Sequence, residues 1–378
     1  MKEIYLDNSA TTMVCPEAAQ KALEMMTEKY GNPSSLHSKG FEAQKEVEAA
    51  REQLARRLSV QKEEIYFTSG GTESNNTAVF GAASALARRG SRIVTTAIEH
   101  SSVLEAVQQL EQKGFEVIRL KPDSKGRITK EALSEAINQQ TILVSVMAVN
   151  NETGAIQPIE GIRRLIDRAG APALFHVDGV QAFGKMMLKP KKAGIDLLSI
   201  SSHKIHGPKG AGALYIRKGA RILPLHYGGE QENRLRPGTE AVPLICAMGE
   251  AVRVLPDCTD ELTVMQRLNR RCREQLGAIG SVRFNSDEDC LPYILNFSVV
   301  GIRSETMLHH LAQRNIYVSS GSACARGKKS HVLTAAGLSA DIADSAVRVS
   351  FSRYNTEEEI DAFCKEIANA DKTLARSR

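Results

Sequence analysis

The sequence predicts an α/β protein whose mostly parallel β-sheet is covered by helices on both faces. Helical and strand patterns alternate from Glu42 to Ile200, and short apolar runs such as Ile65–Thr68 and Arg92–Thr96 are each followed by a helical pattern. Such alternation favours parallel strands joined by crossover helices, which bury both faces of the sheet. At 378 residues the chain is long enough for one large and one smaller domain.

Apolar periodicity predicts the individual elements in chain order. A long amphipathic helix over Glu42–Leu58 precedes the strand Ile65–Thr68. The predicted elements that follow are a helix ending at Ala87, strand Arg92–Thr96, helix Ser102–Gln112, strand Phe115–Leu120, a turn at Pro122–Gly126, helix Thr129–Asn138 and strand Ile142–Val149. Two further apolar runs, Ala173–Val177 and Ile195–Ile200, are typical of short buried strands.

The alternation changes near Val242, which indicates a second domain. A helix through Val254 and another over Glu261–Leu276 lead into shorter strands and two or three helices. We therefore expect a boundary near Leu255. Residues 15–254 are expected to form the large domain, and residues 1–14 with 255–378 the small α+β domain.

Composition and charge disfavour several classes of function. The hydrophobic content of 42% and the charged content of 25% are ordinary for a soluble globular protein. The net charge of +5 is small, and the basic clusters Lys189–Lys192 and Arg326–Lys329 are short and lack interleaved aromatic residues. A solvated surface therefore explains them better than direct nucleic-acid binding.

The chain shows no signal for secretion or for a membrane. No run approaches the roughly 20 apolar residues that a membrane helix needs, and the amino terminus lacks the pattern of a secretory signal. The seven cysteines include no C-x-x-C pair. We expect reduced thiols in a cytoplasmic protein rather than a disulfide framework, and we expect no zinc or other metal site.

Two strands deliver a lysine and an aspartate to the same edge of the sheet. Asp178 follows the strand Ala173–Val177, and Lys204 follows Ile195–Ile200 after three polar residues. The carboxyl ends of strands are where open α/β sheets bind ligands. A lysine there can form a Schiff base with an aldehyde, and a carboxylate can keep a pyridinium nitrogen protonated. Together they indicate pyridoxal phosphate as the cofactor.

A lysine close by offers an alternative anchor. Lys209 lies in the turn Gly207–Gly210, which we expect to project into solvent, whereas Lys204 directly follows the polar donors. We therefore favour Lys204.

The phosphate of such a cofactor needs donors at this edge. Ser69–Thr72 lies between a strand and a helix, so Gly71 and Thr72 would present backbone N–H groups at the amino terminus of that helix. A glycine turn of this kind is more often structural than functional when it stands alone. Ser201 and His203 add further donors at the same edge.

Two more side chains could contact the ring. Gln181, three residues after Asp178, could reach the phenolic oxygen, and His100 could lie flat against the ring face. A lone histidine at the end of a strand is more often a structural residue, so the assignment of His100 depends on its neighbours.

Arg348 is a candidate for binding a substrate carboxylate. In the segment Ala346–Phe351 the apolar residues alternate with Arg348 and Ser350, so Arg348 projects away from the apolar layer. Its guanidinium suits a bidentate contact with a carboxylate. An ordinary surface arginine would give the same pattern.

Cys324 is the candidate nucleophile. Small residues precede it and basic residues follow it, which is typical of an exposed and electropositive loop. Such surroundings lower the pKa of a thiol from about 8.5 and favour the thiolate. Cys246 and Cys364 lie in apolar helical patterns, where a buried and inert thiol is the usual state.

These motifs together resemble one family. The matching segments are Tyr5–Thr12, Gly31–Ser35, Thr68–Asn76, Glu99–His100, Asn150–Gly154, His176–Gln181, Ser201–Gly210, Arg236–Thr239 and Ser320–Cys324. The chain resembles the cysteine desulfurases of the NifS/IscS type, within the class V aminotransferase group of pyridoxal-phosphate-dependent enzymes. The resemblance covers nearly the whole chain.

The resemblance implies a fold and a set of roles. The fold is that of the type I pyridoxal-phosphate-dependent transferases, with a seven-stranded sheet in the large domain and the cysteine loop in the small domain. Lys204 resembles the Schiff-base lysine, Cys324 the persulfide-forming nucleophile, and His100 a residue that stacks on the ring and moves protons. The implied cofactor contacts are Gly71, Thr72, His100, Asp178, Gln181, Ser201, His203, Lys204 and Thr239, the last reaching the neighbouring subunit of a homodimer. The implied substrate contacts are Asn8, Ala10, Asn32, Asn151 and Arg348.

The implied activity is removal of sulfur from L-cysteine to give L-alanine and a persulfide on Cys324. The persulfide would pass to a protein acceptor, which is either an iron–sulfur scaffold or an enzyme of tRNA or cofactor thiolation. A selenocysteine lyase or an aminotransferase of the same fold is the first alternative. A non-catalytic scaffold protein in sulfur trafficking is the second, and the presence of Lys204, Asp178 and Cys324 argues against it.

Overall fold

The computed structural model describes residues 3–321 and 330–376. In chain order the strands are β1 (Ile4–Tyr5), β2 (Ile65–Thr68), β3 (Arg92–Thr96), β4 (Glu116–Leu120), β5 (Thr141–Met147), β6 (Leu174–Asp178), β7 (Leu197–Ser201), β8 (Gly212–Ile216), β9 (Val282–Phe284), β10 (Ile294–Val299), β11 (Ile316–Tyr317) and β12 (Ala346–Ser350). The helices are α1 (Pro16–Thr27), α2 (Ser38–Leu58), α3 (Gly71–Leu86), α4 (Ser101–Gln112), α5 (Lys130–Ala136), α6 (Ile162–Arg168), α7 (Pro190–Ala193), α8 (Val242–Arg253), α9 (Cys258–Gly277), α10 (Ser304–Ala312), α11 (His331–Ala335), α12 (Ala340–Asp344) and α13 (Glu357–Thr373).

The large sheet has seven strands in the order β2-β8-β7-β6-β5-β3-β4. Strands β3 to β7 pair in parallel, whereas β8 is antiparallel to both of its neighbours, β2 and β7. The predicted mostly parallel, seven-stranded α/β sheet is therefore confirmed.

Helices cover both faces of this sheet, as the strand patterns predicted. On one face Leu143 and Leu197 pack in an apolar cluster with residues of α3 and α4. On the other face Val144 and Leu198 belong to the larger cluster, which includes residues of α2, α5, α6 and α8. Adjacent residues of one strand point to opposite faces, so continuous apolar strands are what a doubly covered sheet requires.

A second region is built on smaller sheets. Strands β12, β10 and β9 form an antiparallel sheet in that order, and β1 pairs in parallel with β11. Helix α13 packs on α9 and α10. The amino-terminal strand β1 thus pairs with a late strand. The domain boundary near Leu255 stays a prediction.

Two helices begin earlier than the sequence pattern indicated. Helix α2 starts at Ser38 instead of Glu42, because the side chain of His37 accepts a hydrogen bond from the backbone N–H of Gly40 and caps the first turn. Helix α9 starts at Cys258 instead of Glu261, because Asp257 caps it through the backbone N–H of Thr259. Within the part of the chain that the structure describes, no helix combines the length and the apolar character needed to cross a membrane.

Candidate active site

A cavity of about 250 Å³ opens at the carboxyl ends of β5, β6 and β7. Most of the predicted site residues line it, namely Ala10, Gly71, Thr72, His100, Asn151, Asp178, Gln181, Ser201, His203, Lys204 and Arg348. Neighbouring parallel strands end at the same edge of the sheet, so residues far apart in the sequence meet there.

Of the predicted site residues that the structure describes, three do not line the cavity. Asn8 is buried beside it, where its amide donates to the backbone carbonyl of Ser350 over 2.9 Å. Asn32 and Thr239 are exposed, and Thr239 lines a separate surface cleft. Their substrate and cofactor roles stay predictions, which for Thr239 require a second subunit.

Lys204 reaches the cavity from the short 3-10 turn that follows β7. Its Nζ donates to the backbone carbonyls of Ser9 and of Ala10, the latter over 2.7 Å. Burial, followed by the positive charges of Arg348 and Lys185, lowers the pKa of Lys204 to about 7. A substantial fraction of the amine is therefore neutral near neutral pH. The alternative anchor, Lys209, is exposed and outside the cavity lining.

Asp178 ends β6 and is held by two donors. Its Oδ1 accepts from the backbone N–H of Val180 over 3.0 Å, and its Oδ2 accepts from Asn75 Nδ2 over 2.7 Å. Sequence reasoning had not singled out Asn75. A signal was available, because Asn75 lies four residues after Gly71 on α3 and so shares its helix face.

His100 caps α4 and has a defined tautomer. Its Nδ1 accepts from the backbone N–H of Ser102 over 3.1 Å, so the proton of the neutral ring is assigned to Nε2. Burial lowers the pKa of His100, and the charge of Lys204 adds to this effect while Asp178 opposes it. The neutral ring is thus favoured at neutral pH.

The predicted phosphate site lies at the start of α3. Gly71 is the first residue of this 16-residue helix, and a Cβ atom added there would lie 2.8 Å from Val180 Cγ2. A side chain at this position would press into the cavity lining, so the glycine lets a ligand approach the backbone closely. Burial and the neighbouring charge of Lys204 lower the pKa of His203 to about 3.

Arg348 is a buried site residue and not a surface arginine. Only 1% of it is exposed, and its guanidinium donates to the carbonyl of Asn151 over 2.9 Å and to Asp7 Oδ1 over 2.8 Å. Its Nε lacks a hydrogen-bond partner among residues 3–321 and 330–376. Because Arg348 lines the cavity with a permanently charged guanidinium, the site favours an anionic ligand.

Cys324 lies outside the described residues. Of the cysteines that the structure describes, Cys246 and Cys364 are buried as predicted, and burial raises the pKa of Cys246 to about 12. The cavity lining contains no cysteine from the described ranges. These thiols are unsuited to act as nucleophiles at neutral pH.

The residues present fit pyridoxal phosphate. Asp178 is fixed to receive a ring N–H, Lys204 offers an amine with a lowered pKa, and α3 offers its amino terminus with close access at Gly71. Among the described residues, no group of three or more His, Cys, Asp or Glu side chains is placed to hold a metal ion.

Comparisons with known proteins agree on one family. The family model described as aminotransferase class-V matches residues 4–363. The chain is 41% identical to a putative cysteine desulfurase IscS 1 of Bacillus subtilis (strain 168), over 99% of this chain and 100% of the relative. Among solved structures, a NifS-like protein matches with a TM-score of 0.94 and 39% identity, covering 99% of this chain and 100% of that one. A structure described as SspA in complex with cysteine matches with a TM-score of 0.83 and 34% identity, covering 94% of this chain and 100% of that one.

Proposed function

This chain belongs to the class-V aminotransferase family, and we propose that it is a pyridoxal-phosphate-dependent cysteine desulfurase acting on L-cysteine. One observation carries the proposal. A lysine with a lowered pKa shares a cavity with a fixed aspartate and a buried arginine. The relative in Bacillus subtilis and the cysteine complex of SspA support the choice of substrate.

Each group of the cavity has a task. When bound, pyridoxal phosphate supplies a sink for the electron pair left when the Cα–H bond of an amino acid breaks. Lys204 holds the cofactor aldehyde and, once its amine is free and neutral, accepts the Cα proton. Arg348 and Asn151 bind the substrate carboxylate, with Ala10 beside them.

The remaining polar residues hold the cofactor. Asp178 would accept the pyridine N–H, Gln181 would donate to the phenolic oxygen, and His100 would cover the ring. Gly71, Thr72, Ser201 and His203 bind the phosphate. Their common position in the cavity lining supports these roles.

Cys324 is the proposed sulfur acceptor within the chain. Its thiol and L-cysteine give L-alanine and a persulfide on Cys324, so one sulfur atom is transferred and no external oxidant is needed. The raised pKa values of Cys246 and Cys290 support this choice, because buried thiols are poor nucleophiles.

The proposal extends to partners. The chain would act as a cytoplasmic homodimer in which Thr239 reaches the neighbouring subunit, and it would pass sulfur to an iron–sulfur scaffold or a thiolation enzyme. The exposure of Thr239 supports the homodimer, because the residue is free to contact another subunit.

The test uses the holoenzyme and L-cysteine. We expect equal amounts of alanine and transferred sulfur, and Cys324→Ser should keep the bound-cofactor absorbance while alanine production under turnover falls by at least about 100-fold. Cys246→Ala is the matched control and should retain activity. Undiminished turnover by Cys324→Ser would reject the nucleophile, and amino-group transfer without sulfur release would identify an aminotransferase.

A further inference from the structure

Lys185 is a buried lysine to which the proposed reaction gives no direct role, although its charge helps to lower the pKa of Lys204. It is only 7% exposed, and it follows β6 by seven residues. No ion pair of Lys185 occurs within the described ranges, and burial lowers the pKa of Lys185 to about 8, with the charge of Glu261 opposing this shift. Its Nζ lies 5.7 Å from the centroid of the Tyr293 ring. Burying an ammonium group is unfavourable in free energy. A buried lysine at this position therefore indicates that its amine acts on a neighbouring group.

That neighbouring group is the side-chain amide of Gln181. Lys185 Nζ donates to Gln181 Oε1 over 3.0 Å, and Gln181 Nε2 donates to the backbone carbonyl of Ser9 over 3.0 Å. An ammonium group can only donate and a carbonyl can only accept. The two neighbours therefore select one orientation of the amide, since a flipped amide would place NH2 against NH3⁺ and oxygen against oxygen.

The selected orientation determines whether Gln181 directs an N–H donor or a carbonyl acceptor toward the cavity. Gln181 lines the cavity, and its Nε2 carries two N–H groups. One of them is used by the carbonyl of Ser9, which also accepts from Lys204. The second N–H remains for an acceptor in the cavity, and the phenolic oxygen of pyridoxal phosphate is such an acceptor.

We propose that Lys185 is a positioning residue that locks the Gln181 amide with its N–H groups toward the cofactor. This inference rests on the proposed function, because it assumes pyridoxal phosphate in the cavity. Lys185 itself does not line the cavity. It acts through Gln181, and without it only the carbonyl of Ser9 would hold the amide in this orientation.

The experiment follows the absorbance of the bound cofactor in the holoenzyme as a function of pH. Lys185→Met keeps a side chain of similar length but removes the hydrogen-bond donor Nζ and its positive charge. Losing a donor to the phenolic oxygen makes the bound chromophore hold its proton more tightly, so the midpoint of its titration should rise by at least about half a pH unit. Lys185→Arg keeps a donor and should shift the midpoint less than Lys185→Met does.

A double-mutant cycle separates positioning from a general charge effect. In a Gln181→Ala background, Lys185→Met should shift the midpoint by less than about half of its effect in the parent. An equal shift in both backgrounds would overturn the proposal, because Lys185 would then act by its charge alone. An unchanged midpoint in Lys185→Met would also overturn it.

Two controls complete the design. Lys21→Met removes a lysine that pairs with Glu46 on the surface of α1 and α2, and it should leave the midpoint unchanged. If Lys185→Met does not fold, Gln181→Leu removes the amide that accepts from Lys185. An unchanged midpoint in Gln181→Leu refutes the proposal. A parent protein that binds no cofactor would instead reject the proposed function.

Discussion

Asn75 Nδ2 donates a hydrogen bond to Asp178 Oδ2 over 2.7 Å, and this contact joins α3, which begins at the proposed phosphate site, to β6, which ends at the proposed ring site. The same amide also donates to Ser102 Oγ over 2.9 Å, next to His100. One side chain therefore connects three elements around the cavity. Its Oδ1 has no partner in the part of the chain that the structure describes.

Removing this amide should weaken cofactor binding. A hydrogen bond to a buried charged group contributes about 1.5–3 kcal/mol, so Asn75→Ala should raise the dissociation constant of pyridoxal phosphate by about 10-fold or more. Fluorescence titration of the apoprotein measures this constant. Asn369→Ala, which alters an asparagine on α13, should leave it unchanged, and an unaltered constant in Asn75→Ala would contradict the role given to Asn75.

The lowered pKa of Lys204 predicts when the apoprotein captures its cofactor. Only the neutral amine attacks an aldehyde, and the amine is neutral above its pKa of about 7. The rate of covalent capture should therefore rise with pH below about 7 and level off above it, as followed by stopped-flow absorbance. A rate that keeps rising toward pH 10 would show an ordinary lysine. Lys209→Met is the control and should leave the profile intact.

Arg348 should be required for substrate binding beyond its contribution to the fold. Arg348→Lys keeps the charge but loses the planar fork, so KM for L-cysteine should rise by at least about 10-fold. The melting temperature should fall as well, because Arg348 also bonds Asn151 and Asp7. Arg253→Lys, in an exposed ion pair with Glu250, serves as the control. If Arg348→Lys lowers the melting temperature but leaves KM unaltered, Arg348 has only a structural role.

Gly71 should not tolerate a side chain. The added methyl group of Gly71→Ala would lie 2.8 Å from Val180 Cγ2, so either the lining or the start of α3 must shift. We expect the dissociation constant of pyridoxal phosphate to rise by about 10-fold, so that the variant loses more cofactor on dialysis. Gly280→Ala is the matched control, because a Cβ there meets no atom within 4 Å. Equal retention in both variants would contradict the close-approach argument.

The sequence was informative wherever a residue's position in a strand or turn fixed its place in the fold. Asp178 and Lys204 could be placed because each follows an apolar strand, and the carboxyl ends of parallel strands converge. Arg348 was ambiguous, because alternation shows which face a residue is on but not whether that face is covered. Its burial depends on the segment after β1 and on the segment after β5, which the local pattern does not contain.

The two residues that the sequence patterns did not reveal donate hydrogen bonds to residues of the cavity lining. Asn75 and Lys185 each hold a cavity residue through one hydrogen bond. Such contacts depend on side-chain directions across elements, and no spacing in the sequence encodes them apart from the shared helix face of Gly71 and Asn75. The caps at His37 and Asp257 were missed for a related reason, because weak helix formers in the first turn hid where the helices begin.

The pairing of β1 with β11 places the residues that follow β1 at the cavity. Asp7 contacts Arg348, and the carbonyls of Ser9 and Ala10 receive the amine of Lys204. Proteolytic trimming that reached Ala10 would remove β1 but leave the seven-stranded sheet intact. It would also remove the acceptors of Lys204 and the counter-ion of Arg348. An inactive preparation of this protein should first be checked by intact-mass spectrometry for loss at that end.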